Sequence, residues 1–266
     1  MNTESNRRLP ALFVGHGSPM NAIEDNVFSR KWAEIGSRLP RPRAILCISA
    51  HWETDGACLT AMAEPRTIHD FQAFPAELYE VRYPAPGSPE LAEACRRLVT
   101  TAEVGLDREW GLDHGTWSVL CRMYPDADIP VVQLSLDRTR PGEFHYALAR
   151  ELAPLREEGI LILGSGNMVH NLGRMMVKGN DFNAPFGFDW ALEANELFKR
   201  LLTGRHHAEL ADYRSLGSAA RLAIPTNEHF LPLLYAAALR CEDEELSFFN
   251  DTPVAGSLTM TSFIIG

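Results

Sequence analysis

Leu161-Ile162-Leu163-Gly164-Ser165-Gly166-Asn167-Met168-Val169-His170-Asn171 is an apolar run that opens into small residues and ends at a histidine. Two other stretches share the form: Leu12-Phe13-Val14-Gly15-His16-Gly17-Ser18-Pro19 and Ile45-Leu46-Cys47-Ile48-Ser49-Ala50-His51-Trp52. Short uninterrupted apolar runs read as strands buried on both faces, as in a parallel sheet covered by helices. In open α/β sheets the groups just past the carboxyl ends of such strands line the ligand crevice. Three histidines delivered to one rim, with His229 in Pro225-Thr226-Asn227-Glu228-His229-Phe230 as a fourth, point to a metal site.

Working outward, strands are expected at Leu12–Val14, Ala44–Ala50, Ala57–Ala63, Ile129–Leu136, Gly159–Leu163, Leu246–Phe249 and Leu258–Ile265. Helical spacing or end signals mark Asp25–Arg38, a segment from Ser88-Pro89-Glu90 to about Thr100, His114–Met123, Gly142–Leu155, Trp190–Leu202 and Glu228–Leu239. Alternation of the two types predicts an α/β fold: one domain, a mixed or mainly parallel sheet, helices on both faces. Residues 1–9 read as a mobile polar arm and 10–266 as the folded domain. Residues 64–90 form a long connection rich in Pro and aromatics, and connections of that length are usually functional or disordered. Its aromatics argue for order. Phe71, Phe74, Tyr79 and Tyr83 are expected to wall a site or to pack the loop down.

The chain has 266 residues and a net charge of −10, which disfavours nucleic acid or an anionic membrane as partner. Five cysteines, with no CxxC pair, read as reduced thiols. Arg7-Arg8 precedes too short an apolar stretch for an export signal, and no run reaches membrane-spanning length. The expected location is cytoplasmic and the expected state a monomer or homodimer.

Not every histidine is read as functional. His206 and His207 follow a helix, and His145 sits on an amphipathic helix where solvation is expected. His69 is expected to pin its loop or support the site from behind. His114, after Gly111-Leu112-Asp113, falls at a helix N-terminus, where the macrodipole disfavours the imidazolium. That suits a general base, although a local hydrogen bond is an equal reading. Three or four imidazoles without thiolate suit Zn, Fe, Cu or Ni, whereas two with a carboxylate suit non-haem Fe(II). Glu228 beside His229 leaves the third ligand open.

Taken in order, these motifs, with Ile68-His69-Asp70-Phe71 and Tyr83-Pro84-Ala85-Pro86-Gly87, resemble the class III extradiol ring-cleavage dioxygenases. The nearest branch is the DOPA 4,5-dioxygenase-like proteins, related to the catalytic subunit of protocatechuate 4,5-dioxygenase. The resemblance runs from residue 12 to about residue 239. It implies an α/β sandwich, with His16, His51 and His229 at metal-ligand positions and His170 beside or on the metal. It places His114 and His170 at acid/base positions. It also implies Fe(II) for activity, zinc as a metal found in such proteins, and insertion of both atoms of O2 into a catechol, giving a semialdehyde. The implied substrate is DOPA-like or another catechol, its side chain bearing a carboxylate or amine. Two other readings stand beside it. One is a zinc hydrolase with Glu228 as base, and the other a silent protein with a closed four-histidine zinc site.

Overall fold

The three apolar runs form the middle of one eight-stranded sheet in this computed structural model, which describes residues 8–179 and 181–266. The strands are β1 (Ala11–Gly15), β2 (Ala44–Thr54), β3 (Ala57–Thr60), β4 (Val104–Asp107), β5 (Val131–Asp137), β6 (Ile160–Gly166), β7 (Leu246–Phe249), β8 (Pro253–Val254), β9 (Leu258–Thr259) and β10 (Ser262–Ile265). Their order is β4-β3-β5-β2-β6-β1-β10-β7, with β8 and β9 as a separate pair. β1, β2, β5 and β6 run parallel; β7 and β10 close one edge antiparallel. The fold is the expected α/β one.

The apolar runs are continuous because both faces are covered. In β1, Ala11 and Phe13 enter one core while Leu12 and Val14 enter the other. Ile160 and Ile162 of β6 part from Leu161 and Leu163 in the same way. Helices Val27–Arg38 and His114–Met123 cover one face through Phe28, Trp32 and Trp117. Pro89–Leu98, Gly142–Glu151, Asp189–Thr203 and Leu231–Ala238 cover the other. No helix among the described residues is long and apolar enough to cross a membrane, and the five thiols are free.

Several expectations need correction. β2 runs on to Thr54, so His51 lies within it rather than past its end, at a break in its pairing with β5 between Ile48 and Glu53. The Leu258–Ile265 segment is two strands, because Met260 turns away to bond Thr252 and the Thr261 hydroxyl bonds Asn195 and Asp251. The helix expected from Glu228 starts at Leu231, leaving Glu228 and His229 in the turn before it. Gly142–Leu155 is interrupted before Pro154, which starts a separate turn of helix, as its missing N–H dictates. Edge strand β4 and the short helices His207–Ala211 and Ser218–Ala223 carry too little periodicity to be read from sequence. His145 is buried, not solvated; its ring meets the Tyr235 hydroxyl and the Asp137 carbonyl. Of the expected mobile arm, residues 1–7 lie outside the described residues. Arg8 pairs with Glu157, and Leu9 is buried and donates to the Arg156 carbonyl.

Candidate active site

Parallel pairing brings the carboxyl ends of β1, β2 and β6 to one level: Gly15 lies opposite Gly166, and Ser49 opposite Ser165. His16 follows β1 directly, and its backbone N–H still bonds Gly166. His170 lies four residues beyond β6 and bridges to Leu258. His114 is the first residue of its helix, whose N-cap Asp113 accepts from the Thr116 N–H. A Cβ on Gly115 would lie 2.4 Å from the Ser49 hydroxyl, so glycine lets this helix end sit directly on β2. His229 is seated by a similar approach: its carbonyl accepts from the Asn167 N–H across the end of β6.

These elements bring His16, His51, His114, His170 and His229 to the wall of one cavity of about 410 Å³. The rings of His16, His51 and His229 form a near-equilateral triangle, with centroids 4.9 to 5.3 Å apart. The Nε2 atoms of His16 and His51 face each other at 3.2 Å. His114 lies against His51, with centroids 3.8 Å apart, and His170 stacks on His229 at 3.5 Å with planes 9° apart. Ligand atoms of His16, His51 and His114 lie within 4.8 Å of one another, as do those of His170, Glu228 and His229.

Hydrogen bonds behind the rings set their tautomers. The Ser165 hydroxyl donates its proton to the Gly115 carbonyl, so it accepts from His16 Nδ1, and His16 Nε2 is left with a lone pair. Glu228 accepts from His229 Nδ1 at 2.8 Å and from the Thr226 hydroxyl, which leaves His229 Nε2 unprotonated. Asp70 accepts from both the backbone N–H and the Nδ1 of His114, each at 2.9 Å, and its Oδ2 lies 3.5 Å from His51 Nδ1. Burial holds the pKa values of His16 and His51 well below the ordinary histidine value, and crowding by the other imidazoles adds to this. Burial lowers His229 less, because Glu228 opposes it. His170 is lowered to about 3 by burial and by His229. Glu228 is held down at about 2, against its own burial, by its bonds to His229 and Thr226. Behind His114, Asp113 is buried and accepts from Ser49 and Gln133; burial, and then Asp70, push its carboxyl up.

The 64–90 connection is ordered and does two jobs. Phe71 and Phe74 line the cavity, while Tyr83 is buried with its hydroxyl on the Tyr124 carbonyl and Tyr79 packs on Phe71. His69 bonds the Val81 carbonyl and pins the loop. His206 pairs with Glu209, and His207 meets the Tyr146 hydroxyl; neither lines the cavity. Sequence reasoning passed over Asp70 and Ser165, which with Glu228 orient the rings. Each stood inside a quoted motif, and a carboxylate among loop aromatics was the available signal for Asp70.

A family model described as the catalytic LigB subunit of aromatic ring-opening dioxygenase matches residues 10–252. The chain belongs to this family. It is 48% identical to the 4,5-DOPA dioxygenase extradiol of Escherichia coli (strain K12), covering 98% of this chain and 96% of that protein. It is 38% identical to the 4,5-DOPA dioxygenase extradiol of Beta vulgaris, covering 99% and 98%. A crystal structure of an uncharacterized protein from Escherichia coli K12 superposes with a TM-score of 0.84 at 43% identity, covering 97% of this chain and all of that one. The chain is an enzyme of the extradiol dioxygenase type, and its cavity of five histidines offers the donors a metal ion needs.

Proposed function

We propose that the chain opens the ring of a substituted catechol by the extradiol route, with His16, His51 and His229 holding Fe(II) and with His114 and His170 handling protons. The near-equilateral triangle of imidazoles, with Ser165 behind His16 and Glu228 behind His229, carries this reading. The donor set fits a metal. The His16 and His51 Nε2 atoms stand 3.2 Å apart, near enough for one ion to bind both. Carboxylate or hydroxyl partners behind ligating imidazoles are the usual way of aiming them. The relatives' names, which specify DOPA, support the 1,2-diol.

His229 is preferred to Glu228 as third ligand because the Glu228 carboxylate is occupied by His229 Nδ1 and Thr226 and does not line the cavity. That placement also argues against Glu228 as the base of a hydrolase. His170 is placed beside the metal rather than on it. Imidazole lone pairs lie in the ring plane, and two planes stacked 3.5 Å apart do not aim at one point. Fe(II) bound here supplies a meeting place for diol and dioxygen and a route for electron density from ring to oxygen, which redox-inert zinc lacks. His114 takes a diol proton at Nε2, which Asp70 keeps free by holding the other nitrogen. Asp70 then stabilises the imidazolium. His170 stands as the second hydrogen-bonding group along the substrate.

The test is oxygen uptake matched to ring-opened product by Fe(II)-loaded protein, with metal content measured alongside. His16→Ala is expected to lose both metal and cleavage. His114→Ala is expected to keep the metal and lose about 10²–10⁴ in kcat. Cleavage surviving in the first variant, or metal lost from the second, overturns the assignment.

A further inference from the structure

Glu228 and His229 are neighbours in sequence, and the side chains of neighbours on a helix point about 100° apart. They sit instead in the turn before Leu231–Ala238, where the Phe230 and Leu231 N–H groups both bond the Asn227 carbonyl. The turn lays the two side chains in series: His229 faces the cavity, and the Glu228 carboxylate lies behind it, accepting from Nδ1 at 2.8 Å. The Thr226 hydroxyl bonds the same carboxylate oxygen at 3.0 Å. The pair is mostly buried, with side chains 9% and 19% exposed. Glu228 borders a separate outer recess of about 500 Å³ that it shares with Arg214 and Arg221, yet among the described residues its one ion pair is with His229. The Arg221 guanidinium is turned to the Arg214 carbonyl. The other two imidazoles of the triangle differ. Ser165, behind His16, is neutral. Asp70 stands 3.5 Å from His51 Nδ1 and accepts its short bonds from His114.

Resting on the proposed function, we infer that Glu228 is a positioning residue that supplies the metal centre with negative charge through His229. Three neutral imidazoles alone leave a divalent ion its full charge, whereas a carboxylate among the ligands reduces it. A carboxylate bonded to the far nitrogen of a ligating histidine raises the basicity of that ligand. Drawing the Nδ1 proton toward Glu228 moves electron density onto Nε2, the donor atom. Burial strengthens the effect, because little water screens a charge at this depth. The serine behind His16 aims its ring without adding charge. Glu228 and His229 are therefore not rivals for one coordination position: His229 donates the nitrogen, and Glu228 sets how strongly it donates. Negative charge so placed tightens the hold on a divalent ion and lowers the ferric/ferrous midpoint potential.

The experiment removes the charge and keeps the acceptor. Glu228→Gln retains an oxygen for His229 Nδ1 and Thr226, so the tautomer stands and only the charge goes. Zinc affinity is read by chelator competition, apoprotein stability by thermal melt, and the midpoint potential by redox titration of iron-loaded protein. Glu228→Gln is expected to weaken zinc binding about 10–100-fold, to raise the midpoint potential, and to leave the apoprotein melt where it is. Wild-type affinity and potential in Glu228→Gln, or a lowered melt with an unmoved potential, overturn the inference. Loss of zinc as complete as in His229→Ala overturns it too, since the carboxylate would then be a ligand itself. His229→Ala separates this inference from the proposed function. If that variant binds zinc as the wild type does, the proposed ligand set fails and the inference with it. If it loses zinc while Glu228→Gln keeps wild-type affinity, the charge assignment alone fails.

Discussion

Asp70 is the residue that sets the ring of His114, the base of the proposed reaction. One carboxylate accepts from the backbone N–H and the Nδ1 of the same histidine, so ring position and tautomer are set together. An asparagine keeps the size but offers one acceptor and one donor, and the donor favours the tautomer with its proton on Nε2, where a base must have none. Asp70→Asn is therefore expected to lower kcat by about 10²–10⁴ with metal content unchanged. Steady-state oxygen uptake with metal analysis checks this, and wild-type kcat in the variant would show that Asp70 positions nothing. The histidines themselves were legible because each ended an apolar run or opened a motif. Asp70 and Ser165 were not, because their partners lie 44 and 149 residues away in the chain.

At the scale of elements, the Gly164-Ser165-Gly166 end of β6 is the seat of the site. Cβ atoms at Gly164 and Gly166 would lie 2.3 and 2.2 Å from the carbonyl oxygens of Pro232 and His229. Only bare backbone lets the His229 turn and the helix after it lie this close to the sheet. Gly166→Ala is expected to push His229 out, cost about 1–3 kcal/mol, and weaken zinc binding. Gly173→Ala, whose Cβ meets nothing nearer than 3.5 Å, is expected to leave the melting temperature unchanged. Thermal melts and competitive zinc titration separate the two; equal behaviour would remove the close approach as a cause. The glycines were visible in the sequence as punctuation of a strand. What they admit was not, since the turn at 225–230 carries no signal for the strand it meets.

Over the whole molecule, burial of histidines makes stability depend on pH in a definite direction. Burial lowers His145 and His207 to about 4 each, below the ordinary value near 6.5. Between those values the unfolded chain binds more protons than the folded one, so stability is complete above about pH 6.5 and is lost as pH falls toward 4. His145 alone accounts for about 2 kcal/mol between pH 7 and pH 5. Urea unfolding at the two pH values is expected to show the loss, and His145→Gln to reduce it. A variant as pH-sensitive as the wild type would refute the assignment. The sequence placed His145 in solvent because its helix is amphipathic; the ring is buried because it reaches Tyr235, 90 residues on.

The α/β class and the central strands followed from the sequence alone, because burial on both faces of a parallel sheet writes itself as unbroken apolar runs. The placing of His16 and His170 at one rim was legible too, because both follow strands of that sheet, whereas His51, His114 and His229 reach the same cavity from within a strand, a helix start and a turn. Strand order, the edge strand β4, the break at Met260-Thr261 and the start of the helix at Leu231 came only with the tertiary structure. Those features rest on contacts between segments far apart in the chain, which no local periodicity records. The same holds for the tautomer of each ring, which depends on the group behind it, and for the apolar wall of the cavity, assembled from the loops at 71–74 and 172–182.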